Sequence, residues 1–137
     1  MLSGRKIRGA LKLIAAGAAA GALVSAAACR EGRVSAERAA AEMTGGVPAR
    51  GRAKMEHYGC SSCHTIPGVR GADSLVGPPL TKMAARTYVA GVMTNTPDHL
   101  IRWIKDPPGV DPLTAMPNLG VTDQDARDIA SYLYTLK

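Results

Sequence analysis

Apolar residues along the chain fall into one long unbroken run and three shorter stretches with a repeating face. The run, "LIAAGAAAGALVSAAA", follows the basic segment "GRKIRGALK" and stops immediately before Cys29. The first patterned stretch, Pro48 to Tyr58, reads as a helix with Gly51 inside it. A glycine there weakens a helix unless another backbone must come close. The second, "NTPDHLIRWIKDPP", reads as a helix with Asn95 or Thr96 as N-cap and Pro97 in the first turn. Leu100, Ile101 and Ile104 form its apolar stripe, and Pro107-Pro108 stop it. In the third, "VTDQDARDIASYLYTLK", Thr122 caps the helix and Asp123 and Asp125 suit its positive start. Ala126, Ile129, Ala130 and Leu133 recur on one face. No stretch shows convincing strand alternation, so the expected class is all-α, with long irregular joins.

Composition changes this picture in one respect. The 137-residue chain has no phenylalanine, one tryptophan and four tyrosines, a thin supply of core for a domain with no evident disulfide framework. A bulky bound cofactor would supply the missing apolar mass. The net charge of +6 gives no support for nucleic-acid binding once it is located. Arg5, Lys6, Arg8 and Lys12 carry +4 of it within the first 29 residues, and the rest of the chain is close to balanced.

That basic start followed by small apolar residues is the pattern of an export signal. Ala26, Ala27 and Ala28 before Cys29 resemble a bacterial lipobox, in which Cys29 is acylated and becomes the new N-terminus. Leucine is more usual where Ala26 stands, so ordinary cleavage near Ala28 and an uncleaved membrane anchor stay open. Each places the domain on the periplasmic or extracytoplasmic side of the membrane. The expected organisation is therefore a signal or anchor over 1–29, a partly helical tether over 30–47 and a domain over 48–137.

The chemistry sits in "YGCSSCHTIPG", which holds two of the three cysteines and one of the three histidines. A Cys-x-x-Cys pair can be a redox dithiol, half of a zinc site or, with His next, the attachment point of a c-type haem. Zinc needs about four ligands, and there is no second cysteine pair. A thioredoxin-like dithiol needs a βαβ frame that the pattern lacks. A disulfide across two residues would staple almost nothing. Haem attachment uses all three residues: Cys60 and Cys63 share one face of a helical turn, each adding its sulfur to a vinyl group, and His64 lies beneath the iron.

With these residues the chain resembles the class I cytochromes c, and among them the cytochrome c domain fused to subunit II of some haem-copper oxidases. The resemblance spans about Pro48 to Lys137 and rests on "CSSCH", on "GPPL" at Gly77 to Leu80 and on "MPNLG" at Met116 to Gly120. It implies one covalently attached haem c, with His64 and Met116 as the axial ligands and the Pro78 carbonyl receiving the ring N–H of His64. It further implies that Arg86 lies near a haem propionate, that Trp103 lines the haem pocket, and that Gly51 and Tyr132 lie at the crossing of the first and last helices.

Apart from the resemblance, Met116 is singled out among six methionines by its place in a proline-bounded loop between two helices. Met83 and Met93 are weaker rivals, and His57 and His99 read as surface residues. A thioether with a histidine raises the reduction potential relative to two histidines, which suits an electron carrier. The expected function is a membrane-tethered monohaem cytochrome passing single electrons between a donor and an acceptor protein in a respiratory chain, as a subunit of or donor to a terminal oxidase. The alternative is a haem enzyme or gas sensor, which needs an open sixth position.

Overall fold

The computed structural model describes residues 29–137; the export, cleavage and membrane-anchor expectations for residues 1–28 lie outside it. Residues 29–44 are helical, and residues from Ala36 onward belong to one compact unit ending at Lys137. Within the stretch expected to be a tether, Ala40 and Thr44 are buried, and the Thr44 carbonyl accepts a hydrogen bond from the Arg127 guanidinium at 3.2 Å. The last turns of that stretch are therefore held against the domain.

The regular elements that follow are α1 (Pro48–His57), α2 (Pro97–Lys105), a single turn α3 (Pro107–Val110) and α4 (Asp123–Tyr134). Short 3-10 turns occur at Cys60–Ser62 and Met83–Ala85. The starts of the long helices follow the sequence. Thr96 Oγ1 accepts from the His99 N–H at 3.3 Å, and Thr122 Oγ1 from the Asp125 N–H at 3.2 Å. The domain is all-α apart from one antiparallel ribbon, β1 (Tyr88–Val89) with β2 (Met93–Thr94), in which Tyr88 faces Thr94. Two residues per strand are too few to leave an alternating pattern in the sequence.

α1 and α4 cross, and Gly51 lies at the crossing. A Cβ on Gly51 would overlap the backbone carbonyl of Asp128, so only glycine lets the two backbones come this close. The residue of α4 opposite Gly51 is thus Asp128. Tyr132, one turn further on, instead donates its phenol hydrogen to the Pro67 carbonyl at 2.6 Å. Leu100, Ile101 and Ile104 of α2 and Ala126, Ile129, Ala130 and Leu133 of α4 are all buried and share one core with Met55, Ile66 and Met83. Burying each large aliphatic side chain contributes roughly 1.5–3 kcal/mol, so these faces fix how the helices sit.

One charged residue is buried among them. The Asp128 carboxylate accepts from Arg50 Nε at 2.7 Å, the Val47 N–H at 2.8 Å and Gln124 Nε2 at 3.1 Å. Burial works to raise its pKa, but these donors outweigh it and hold the carboxyl below the usual range. The Val47 bond also serves the start of α1, whose N-cap has no side-chain cap.

Candidate functional site

A cleft of about 670 Å³ opens between the helices, within the size range of ligand pockets. Met55 of α1, Ile129 and Leu133 of α4, and Leu100 and Ile104 of α2 give it an apolar floor. Cys60, Cys63, His64, Pro78, Arg86, Trp103 and Met116 all line it, so the fold gathers these seven residues around one space.

The two cysteines are aligned by local geometry. Gly59 is left-handed at φ 70°, which turns the chain out of α1 and into the 3-10 turn Cys60–Ser62. Side chains three apart eclipse in such a turn, which places Cys60 and Cys63 over one another. Both thiols are free and half-buried. Burial, chiefly, pushes the Cys60 thiol up.

His64 follows directly, with its N–H bonded to the Cys60 carbonyl at 3.1 Å. The segment 77–80 runs alongside: the Gly77 N–H reaches the Cys63 carbonyl at 2.6 Å and the Leu80 N–H the Thr65 carbonyl at 2.8 Å. These bonds bracket His64 and bring its Nδ1 to 2.7 Å from the Pro78 carbonyl oxygen. A carbonyl only accepts, so Nδ1 carries the proton and the lone pair of Nε2 is left for a metal. Gly77 is required here too, because a Cβ on it would lie 2.5 Å from His64 Cε1.

The far wall is assembled from other loops. The Arg86 guanidinium donates to the Pro79 carbonyl and, at 3.0 Å, to the Thr81 carbonyl. It thereby stiffens the segment whose Pro78 orients His64. Asn95 holds the same wall: Nδ2 donates to the Met83 carbonyl at 2.8 Å and the Arg86 carbonyl at 2.9 Å, and Oδ1 accepts from the Tyr134 hydroxyl at 2.9 Å. Asn95 is thus a clamp between this wall and α4, while Thr96 does the capping. Tyr58, also on the cleft, donates to Asp125 Oδ2 at 2.8 Å.

Of the rival ligands, His57 and His99 do not line the cleft, and His99 Nδ1 lies 2.9 Å from the Thr94 carbonyl oxygen. Met93 is likewise elsewhere, whereas Met55 and Met83 line the cleft as buried core residues. Among the described residues no group of three or more His, Cys, Asp or Glu side chains is placed to hold a metal ion. The donors fit a haem: paired thiols, an imidazole with its Nε2 lone pair free, a thioether and an apolar cleft, with a Gly77 cradle against the ring of His64.

Sequence reasoning missed the clamp at Asn95 and the buried Asp128. The latter sits among apolar residues of α4, where its only signal is a charge at a position the core pattern would fill with an apolar side chain.

A family model for cytochrome c matches residues 48–137. Cytochrome c oxidase subunit 2 of Alkalihalophilus pseudofirmus is 31% identical over 88 residues, which covers 64% of this chain and 25% of that protein. The chain thus spans about a quarter of the length of the curated relative it matches. No solved structure gives a significant match.

Proposed function

The chain belongs to the cytochrome c family, whose members bind haem c and transfer electrons, and we propose that it is a monohaem electron carrier tethered to the extracytoplasmic face of a membrane. The observation that carries this reading is the hydrogen bond from His64 Nδ1 to the Pro78 carbonyl in a cleft that Cys60, Cys63 and Met116 also line. Haem c supplies a one-electron ferric/ferrous couple when bound. The residues of this chain do the rest. Cys60 and Cys63 would hold the group through thioethers, and His64 would offer its Nε2, with the ring oriented by the bond to the Pro78 carbonyl. Met116 would supply its thioether sulfur, a soft donor that favours the reduced state. Trp103 and the aliphatic floor would exclude water, and Arg86, which also lines the cleft, would offer its charge to a propionate.

With His64 and Met116 both bound to the iron, no position would be left for a substrate, and this supports a carrier over an enzyme or sensor. Donor and acceptor are redox proteins; the likeness to an oxidase subunit supports a haem-copper oxidase as the acceptor. The tether is the stretch between Cys29 and Ala36, where the compact unit begins, with Cys29 acylated; intact mass spectrometry of the mature protein then finds residues 1–28 removed and lipid on Cys29.

The test of the carrier reading uses the full chain. Haem should remain with the polypeptide through denaturing electrophoresis, and Cys60→Ala with Cys63→Ala should release it. The ferrous protein should bind carbon monoxide poorly, and Met116→Ala should admit it while Met83→Leu and Met93→Leu leave the spectrum alone. Rapid, complete carbon monoxide binding by the unaltered protein would instead favour a haem enzyme or sensor.

A further inference from the structure

The segment that carries Met116 puts no side chain into the helix core, and Ala115, Met116, Pro117 and Leu119 instead line the cleft. Pro107 and Val121 are buried, but no residue between them is, and Leu113 is 94% exposed. Its shape is kept by polar ties. The Leu113 N–H reaches Asp111 Oδ1 at 3.0 Å, the Met116 N–H reaches Thr114 Oγ1 at 3.2 Å and the Gly120 N–H reaches Asn118 Oδ1 at 2.9 Å. These bonds shape the loop from within and fasten it to nothing else.

One bond differs. Asn118 Nδ2 donates to Asp106 Oδ1 at 3.0 Å, across 12 residues of sequence. Asp106 ends α2, the helix that carries Trp103, and the same Oδ1 accepts the Gly109 N–H at 3.3 Å, which starts α3. A single carboxylate therefore joins the end of the Trp103 helix, the turn after it and the loop after Met116. Among the described residues, the other hydrogen bonds of segment 112–120 stay within it or reach Asp111.

We propose that Asp106 and Asn118 form a latch that holds the Met116 loop against the cleft, which makes both of them positioning residues for the methionine side of the iron. The inference rests on Met116 being the axial ligand. With the latch closed, Met116 is kept beside the wall that Trp103 builds, so the sulfur returns to the iron faster than an outside ligand can take its place. With the latch open, the loop keeps its internal turns but is free to swing away from α2. The latch thus controls the lability of the sixth position without touching it.

Imidazole titration of the ferric holoprotein reads this directly, alongside the reduction potential and hydrogen exchange of the Met116 and Gly120 N–H groups. Asn118→Ala removes the tie to Asp106 and also the acceptor of the Gly120 N–H, and should raise the apparent imidazole affinity at least about fivefold, the scale of losing the one bond that crosses to Asp106. It should also lower the potential and speed exchange at Met116. Asn118→Asp, which sets two carboxylates against each other, should do more. Asp106→Asn keeps an accepting oxygen and should stay near the unaltered protein. Asn118 is exposed, so these variants test the latch without threatening the core. The latch is overturned if Asn118→Ala and Asn118→Asp match the unaltered protein in imidazole affinity and potential while Met116→Ala binds imidazole freely. If Met116→Ala itself leaves imidazole binding unchanged, the ligand assignment fails, and the latch falls with it as a device for that ligand.

Discussion

Arg50 and Asp128, 78 residues apart, form a two-pronged ion pair: Nε to Oδ2 at 2.7 Å and a terminal guanidinium nitrogen to Oδ1 at 3.0 Å. The carboxylate end is buried at 1% exposure and the guanidinium end reaches solvent at 55%. The arrangement lets the charge of Asp128 enter the α1–α4 contact without being stranded there. Asp128→Asn keeps the shape but turns a donor amide toward Arg50 or Val47. Thermal or denaturant unfolding of the holoprotein should show a loss of roughly 2 kcal/mol, the scale of leaving buried donors without acceptors.

The pH dependence follows from the same helix. Asp128 is held below the usual carboxylate range against the opposing effect of its burial. Asp125 is lowered by Tyr58 and Lys54, and Asp123 by Lys105 and Arg127. A carboxyl with a lower pKa when folded stabilises fully above its unfolded value, near ~4, and loses that contribution as pH falls through the folded value. Stability should therefore be flat from neutral pH to about 5 and fall below about 4. Asp128→Asn should make the acid limb shallower, as followed by circular dichroism.

Gly51→Ala tests the helix crossing. The added methyl meets backbone, which cannot rotate away as a side chain can, so α1 and α4 must separate. A loss on the order of 3 kcal/mol is expected, more than the gain in helix propensity of about 1 kcal/mol returns. Unchanged melting would mean that the helices do not meet at this point.

Gly77→Ala should act on chemistry more than on stability. Its methyl would press on the His64 ring, tilting it or lengthening the bond to Pro78. Haem should remain attached, because the cysteines are untouched, while spectroelectrochemistry shows a shifted potential. A potential equal to that of the unaltered protein would show that the segment 77–80 does not set the ring's orientation.

At Asn95 two variants separate its two jobs. Asn95→Asp keeps an acceptor for Tyr134 but loses both donors to the Met83 and Arg86 carbonyls, whereas Tyr134→Phe loses only the phenol bond. Asn95→Asp should be the more destabilising, by about 1–2 kcal/mol, in urea unfolding.

What the sequence made legible was what repeats or what spacing dictates. The stripes at Leu100, Ile101 and Ile104 and at Ala126, Ile129, Ala130 and Leu133 are buried as their periodicity required, and Thr96 and Thr122 cap as their positions required. "CSSCH" carried its geometry because three residues make one 3-10 turn. "GPPL" carried the Pro78 contact only through family resemblance, since no local rule places a carbonyl 14 residues on against an imidazole. Asp128, Asn95 and the pair Asp106 and Asn118 stayed hidden for a shared reason. Each is a short polar side chain whose partners lie far along the chain, and a composition of turn formers gives no sign of which turn residue also reaches across.

The meeting of Gly51 with the Asp128 backbone also bears on how the chain reaches this structure. The contact joins segments at opposite ends of the domain, so the loop between them must close before either helix is rewarded for its buried face. Contact order of this kind slows folding. The cleft is floored by Met55 from one end of that loop and by Ile129 and Leu133 from the other. A haem fixed at Cys60 and Cys63 would give both ends a common apolar surface to collapse on, turning one long closure into two shorter searches.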